Sequence, residues 1–223
     1  MWVSFDLGKY RPCDQTYCVY PSASVPPLDA AALDGTFRFL GAPGKPDARA
    51  EKRVAALEKK VRAVGLRLPS PFVTLMSRPR LYNRISSCTA CEWDLGSEPI
   101  PNPLAKGTHT VRFLRDQQDV FLWYLLLTPK GGAEILCSRI PFDDPEVRKD
   151  RDIDADVVVG NSALVAPDFE SFVYRYWMEN ELWELVQKPA PKLSPAQQAY
   201  LAHYEKAATE KKGSAKGKTK GKR

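Results

Sequence analysis

No apolar run in this chain approaches the roughly 20 residues that a membrane-crossing helix requires; the longest covers residues 120–127. Histidine is scarce, with two in 223 residues, which leaves little material for a site built on several imidazoles. Five cysteines is an odd number in a chain large enough to fold without covalent staples, so reduced thiols are the expectation. The opening residues, Met1 to Asp6, carry neither a basic segment nor an apolar core, so no secretory leader is expected. Together these scarcities lead to the expectation of a cytoplasmic protein that spans no membrane; a monomer with no cofactor and no metal is expected as well.

Apolar side chains, by contrast, are plentiful. At 43% hydrophobic residues the chain can build a real core, and its length suits one medium domain with appendages. The formal charge of +6 sits in one place. Residues 205–223 hold eight Lys/Arg and two Glu, so the rest of the chain is neutral. This argues against a basic groove on the domain and leaves nucleic acid only a non-specific contact through the Lys-rich tail.

The centre of the fold is expected in residues 111–127, VRFLRDQQDVFLWYLLL. Val111 and Phe113 alternate with Arg112 and Leu114, as in a strand with one buried face. The unbroken apolar run that follows is rich in β-formers and predicts a central strand covered on both faces. Asp116, Gln117, Gln118 and Asp119 between them form a loop of hairpin length, expected to be wet and turn-forming. Residues 133–139 alternate again and predict a third antiparallel strand.

Asp47 can cap a helix whose stripe is Val54, Leu57, Val61 and Val64, with Gly65 ending it. A short helix over 72–77 is halted by Pro79. Residues 36–40, 86–95 and 157–159 read as strands, and 143–156 as an acidic irregular loop. Residues 168–187 form a long aromatic helix that must lie across the sheet, because it cannot offset its own ordering entropy alone. On it Arg175 and Glu179 are four apart and are expected to pair. Ser194 and Gln197, with Pro195 between them, make a capping box that starts a further helix through about Lys206. Residues 211–223 are low in complexity and expected to be disordered.

Chemical sites are weighed on spacing. Gly41-Ala-Pro-Gly44-Lys45 fails as a phosphate loop, having two residues between its glycines and Pro46 after the lysine. Cys88 and Cys91, with Cys13 and Cys18, invite a zinc reading, but packed thiols fit better. Neither His109 nor His203 is placed to activate a cysteine, so no catalytic pair is expected. Asp152, Asp154 and Asp156 resemble the start of a calcium loop, yet Val157 and Ala163 stand where its glycine and glutamate belong. A solvated acidic loop, able to meet a basic partner, is the reading that remains.

Three motifs in order carry a resemblance. Gly65, Leu68, Pro69 and Phe72, in a Gly-x-x-Leu-Pro-x-x-Phe pattern after a helix, resemble the opening of the SUKH superfamily. These are domains shared by a yeast cell-wall-assembly regulator and many bacterial toxin-immunity proteins. Residues 111–127 resemble the hairpin of its bacterial branch. Ala166, Phe169, Phe172, Arg175, Trp177, Glu179 and Asn180 resemble its closing segment, with Asp168 where a serine is common. The likeness covers about residues 47–185 and is silent on the N-terminal part and the tail.

The resemblance implies an α+β fold, an antiparallel meander sheet with helices packed on it, that acts as a protein-binding scaffold rather than an enzyme. Immunity members bind and block a toxin encoded nearby. The expected layout is an N-terminal extension (1–46, partly ordered), a SUKH-like domain (47–190), a C-terminal helix (191–208) and a disordered basic tail (209–223). The partner-binding residues expected are Asp116, Gln117, Gln118, Asp119, Asp152, Asp154 and Asp156, on outer loops facing another protein. The alternative is a nucleic-acid-associated protein acting through its tail.

Overall fold

A computed structural model describes residues 1–149 and 154–218, with side chains through 147 and from 154 to 206. The chain opens with an antiparallel ribbon of β1 (Trp2–Ser4) and β2 (Cys18–Tyr20), Val3 opposite Val19. Three helices follow: α1 (Ala48–Ala63), α2 (Ser70–Met76) and α3 (Pro79–Tyr82). The strands β3 (Glu92–Trp93), β4 (Ile100–Pro101), β5 (His109–Arg115), β6 (Leu122–Leu127) and β7 (Ala133–Ser138) come next. Two short helices, α4 (Pro145–Lys149) and α5 (Ala155–Gly160), lead to β8 (Ser162–Ala166). The chain continues with α6 (Phe169–Val186) and α7 (Pro195–Lys218). The fold is α+β: the main sheet runs β3-β5-β6-β7-β8, β4 also pairs with β5, and every pairing is antiparallel.

The meander of β5, β6 and β7 lies where the apolar pattern put it. Trp123, Leu125, Ile135 and Cys137 face the main core, into which α1, α2 and α6 also point. Leu122, Tyr124 and Leu136 face the other side, under Ile100, Phe142 and Val158. Both faces of β6 are therefore covered, which is why its sequence is apolar without alternation. In β5 the register slips between Arg112 and Leu114, and this bulge lets Phe113 and Leu114 both join the main core.

Local chemistry explains the helix ends. Asp47 Oδ1 accepts from the amides of Arg49 (3.1 Å) and Ala50 (2.9 Å), and Gly65 takes a left-handed φ of 79° just after α1. Val54, Leu57 and Val61 are buried, whereas Val64 stays exposed because it caps the helix past its last turn. The capping box of α7 forms as its sequence suggests: Ser194 N donates to Gln197 Oε1 (2.9 Å) and Gln197 N to Ser194 Oγ (3.3 Å). Ser194→Ala is expected to cost about 1 kcal/mol, measurable in urea titrations. α7 continues past Lys206 to Lys218, into residues expected to be disordered; the Ala, Glu and Lys there are good helix formers. Residues 219–223 of that tail lie outside the described residues.

Several expected elements differ. Residues 36–40 turn in a 3-10 segment (Arg38–Leu40) instead of extending, because Phe37 adopts φ 56° and is fully buried. Of residues 86–95 only Glu92–Trp93 is strand; Cys91 N is held by Ser87 Oγ (2.8 Å) and Ala90 takes φ 55°, so the Cys88–Cys91 stretch is a turn. The acidic loop contains α4 and the start of α5, and Val157, Val158 and Val159 are helical. Asp154 caps them through Asp156 N (2.9 Å), and of the three valines Val158 alone reaches the core. β8, Ser162–Ala166, was not among the expected strands; of its apolar run only Val165 is buried.

Residues 1–46 are described throughout and supply Trp2, Val3, Phe37 and Leu40 to the main core. Phe5 and Leu7 join Tyr174, Met178, Leu182, Tyr200, Leu201 and Tyr204 in a second cluster between α6 and α7. This segment is part of the domain's interior, not an appendage. α6 accordingly lies between two apolar clusters and buries residues around most of its circumference.

Candidate functional site

The β5–β6 turn, the end of β7 and the start of β8 lie at one end of the sheet, since Arg115 pairs with Leu122, Leu122 with Ser138, and Ser138 with Ser162. α5 runs into this end through Asn161, whose carbonyl accepts from Arg139 N (3.0 Å). The acidic residues expected to face a partner are distributed here unequally. Asp119 is exposed, turns with φ 54° and pairs with Arg115 (3.0 Å). Gln117, Gln118 and Val120 beside it are also exposed.

Asp116 departs from expectation: it is 4% exposed. Its Oδ2 accepts from the Tyr17 hydroxyl (2.6 Å) and its Oδ1 from Gln118 N (2.9 Å). The N-terminal segment folds over the turn and removes this carboxylate from water, so Asp116 braces the loop. Burial, reinforced by Cys91 and by the bond to Asp116, pushes the Tyr17 hydroxyl well above its ordinary range.

Asp154 and Asp156 stand exposed on the first turn of α5, and Asp152 lies outside the described residues. Next to them Val157 and Val159 are 51% and 59% exposed, and Leu164 on β8 is 45% exposed. These apolar side chains flank buried Val158, on the sheet face carrying Leu136. On β5, Arg112 binds Asp94 (2.9 Å) and Asp143 (2.6 Å), while Arg115 reaches Glu92, Asp94 and Asp119. Two arginines thus serve four carboxylates on the β3–β5 side of the sheet, and Arg139, at the α5 end, lies over the Phe121 ring. Exposed apolar side chains beside the exposed carboxylates of Asp154 and Asp156 suit the burial of a basic protein surface.

The polar residues of the closing motif do something different. Arg175 and Glu179 do not pair. Glu179 is fully buried and accepts from Arg11 Nη1 (2.5 Å) and Nη2 (2.7 Å), Trp2 Nε1 (2.8 Å), Ser4 Oγ and the Tyr200 hydroxyl (2.6 Å). Arg175 instead donates to Tyr200 (3.0 Å) and to the Pro26 carbonyl (2.8 Å). Asn180 accepts from Cys88 N (2.9 Å) and donates to the Tyr176 carbonyl (2.8 Å). Burial alone would push the Glu179 carboxyl up, but Arg11 and the hydroxyl donors outweigh it and hold it below the usual range. Spacing within one helix missed Arg11, Ser4 and Tyr200, which come from the two ends of the chain.

Thiols and imidazoles bring no reactive set together among the described residues. Cys13 and Cys18 are joined in a disulfide across a Cα separation of 5.9 Å, contrary to the expectation of reduced thiols, because the short turn between them brings both side chains together. With Asp14 they form the one His/Cys/Asp/Glu group among the described residues close enough to share an ion, and the bond occupies both sulfurs. Burial pushes the Cys88 and Cys137 thiols up, away from the thiolate a nucleophile needs. His109 Nδ1 is buried without a hydrogen-bond partner among the described residues, and His203 packs edge-on to Tyr204.

No helix among the described residues is long and apolar enough to cross a membrane. Comparison with protein-family models, with curated proteins and with solved structures finds no match to this chain.

Proposed function

We propose that this protein is a non-enzymatic, SUKH-type protein-binding domain, an immunity protein that grips and blocks a basic toxin at the α5 end of its sheet. The observation that carries the reading is the exposure of Val157, Val159 and Leu164 together with the exposed carboxylates of Asp154 and Asp156 on the same short helix. Exposed β-branched residues on a short helix offer rigid apolar contact at low entropic cost, and the flanking carboxylates steer a cationic partner and speed its encounter.

The test is complex formation with the product of the neighbouring reading frame. Val157→Asp together with Val159→Asp is expected to weaken binding by about tenfold or more, as losing two central apolar contacts would. Asp154→Lys together with Asp156→Lys is expected to slow association and remove its salt dependence. Full affinity in both variants overturns the reading. Cytoplasmic localisation belongs to the same proposal. The Cys13–Cys18 bond speaks for an oxidising compartment instead, so titration of free thiols on protein trapped in the cell decides between them.

A second reading, a nucleic-acid-associated protein, is favoured by the confinement of the whole charge excess to residues 205–223. It requires that neutralising the tail lysines abolish DNA or RNA binding and flatten its salt dependence.

A further inference from the structure

The segment that failed as a phosphate loop acquires cations from elsewhere in the chain. Residues 41–47 and α3 enclose a cleft of about 580 Å³ that Lys45, Arg78, Arg80 and Arg84 line, with Asp47 as its carboxylate. None of these four cations forms an ion pair among the described residues, whereas both arginines of β5 are paired. Asp47 spends Oδ1 on two amides of α1. Arg84 Nη1 holds the loop through the carbonyls of Leu40 (2.5 Å) and Ala42 (3.3 Å). A Cβ on Gly41 would lie 2.4 Å from that nitrogen, so the glycine permits the approach. Arg78 donates to the Thr74 carbonyl (2.7 Å), and its Nε is buried with no acceptor among the described residues.

A second hollow of about 290 Å³ adjoins the cleft and shares Asp47 and Pro79 with it. Arg49 and Arg53 line it together with Tyr82 and Trp93, whose rings stack at 5.2 Å. Across the two hollows six cations face one carboxylate, in a chain whose body is neutral. Arginine forks match phosphate oxygens in pairs, and the dipole of the 16-residue α1 adds to the same field. Carboxylates offer fewer oxygens and less charge per group, and an uncharged ligand would leave the cations without a counter-charge.

We propose that the cleft between residues 41–47 and α3 is a binding site for a polyphosphate group, taken either as a bare inorganic chain or as the phosphates of a nucleotide whose base lies by Tyr82 and Trp93. The site is independent of the protein-binding reading. α1 packs on the sheet face carrying Trp123, whereas α5 packs on the face carrying Tyr124.

Calorimetric titration of the full chain with pyrophosphate, ADP and citrate tests it. Saturable binding of pyrophosphate at one site per chain is expected. Lys45→Ala together with Arg80→Ala, both exposed and without side-chain hydrogen bonds among the described residues, is expected to weaken it by about tenfold or more with an unchanged melting temperature. Neutralising the tail lysines Lys216, Lys218, Lys220 and Lys222 is expected to leave it unchanged. Tighter binding of ADP than of pyrophosphate identifies a nucleotide, and equal binding identifies the bare chain. The proposal is overturned by absence of saturable pyrophosphate binding, by citrate binding as tightly, or by loss in the tail variant with none in the cleft variant.

Discussion

Glu179→Gln is expected to remove about 3–5 kcal/mol of folding stability, a large share of the 5–15 kcal/mol that holds an ordinary domain together. The carboxylate is fully buried and is the counter-charge for Arg11, so its loss strands a guanidinium in the interior beside Tyr200 and Tyr204. Arg11→Met alone should cost a similar amount by stranding the carboxylate. The double change Arg11→Met with Glu179→Met should recover only the part due to the unpaired charge, because Trp2 Nε1, Ser4 Oγ and the Tyr200 hydroxyl still lose their acceptor. Guanidinium titrations of the four proteins read this as a double-mutant cycle.

The same pair sets an acid limit. Glu179 is held below its ordinary range, so its contribution is fully present above the unfolded value near ~4.3 and is lost as pH falls through the folded value. Melting temperatures of the natural chain should therefore drop as pH falls below that unfolded value. Glu179→Gln should lose this component of the slope. An acid dependence identical in both proteins would remove Glu179 from the account.

Phe172→Ala is the second large effect, at about 3–5 kcal/mol. The ring is fully buried, stacks on Tyr176 at 5.7 Å, and meets Trp2, Phe113 and Trp123 at 5.8, 5.4 and 6.5 Å. These partners come from the N-terminal ribbon and the central strands, so truncation opens a cavity where three parts of the chain converge. Phe172→Leu, which fills much of that space, should cost markedly less. Denaturant midpoints should fall with an unchanged m-value. A change below about 1 kcal/mol for the alanine variant would show that the surroundings collapse onto the gap.

The resemblance-bearing residues take on a physical meaning in this setting. Arg175, Glu179 and Asn180 read as the polar margin of a helix, yet they tie α6 to distant segments: Arg175 to Pro26 and Tyr200, Glu179 to Arg11, Ser4 and Tyr200, and Asn180 to Cys88. They brace the fold. Of the acidic residues expected at the surface, Asp119, Asp154 and Asp156 are there, and Asp116 is folded under Tyr17.

Where the physics is local, residues alone were enough. The strands β5 and β7, the unbroken apolar run of β6, the Asp47 cap, Gly65 and the Ser194–Gln197 box each depend on neighbours within a few positions, and each forms as read, save that a bulge in β5 breaks its alternation and turns Leu114 into the core beside Phe113. Packing between distant segments settled the remainder. It made a helix of a β-branched triplet by burying Val158, turned Phe37 inward, and withdrew Asp116 from water. It also exchanged an i,i+4 ion pair for one spanning 168 residues. Desolvation and charge pairing act through space, so their outcome depends on which segments the fold brings together.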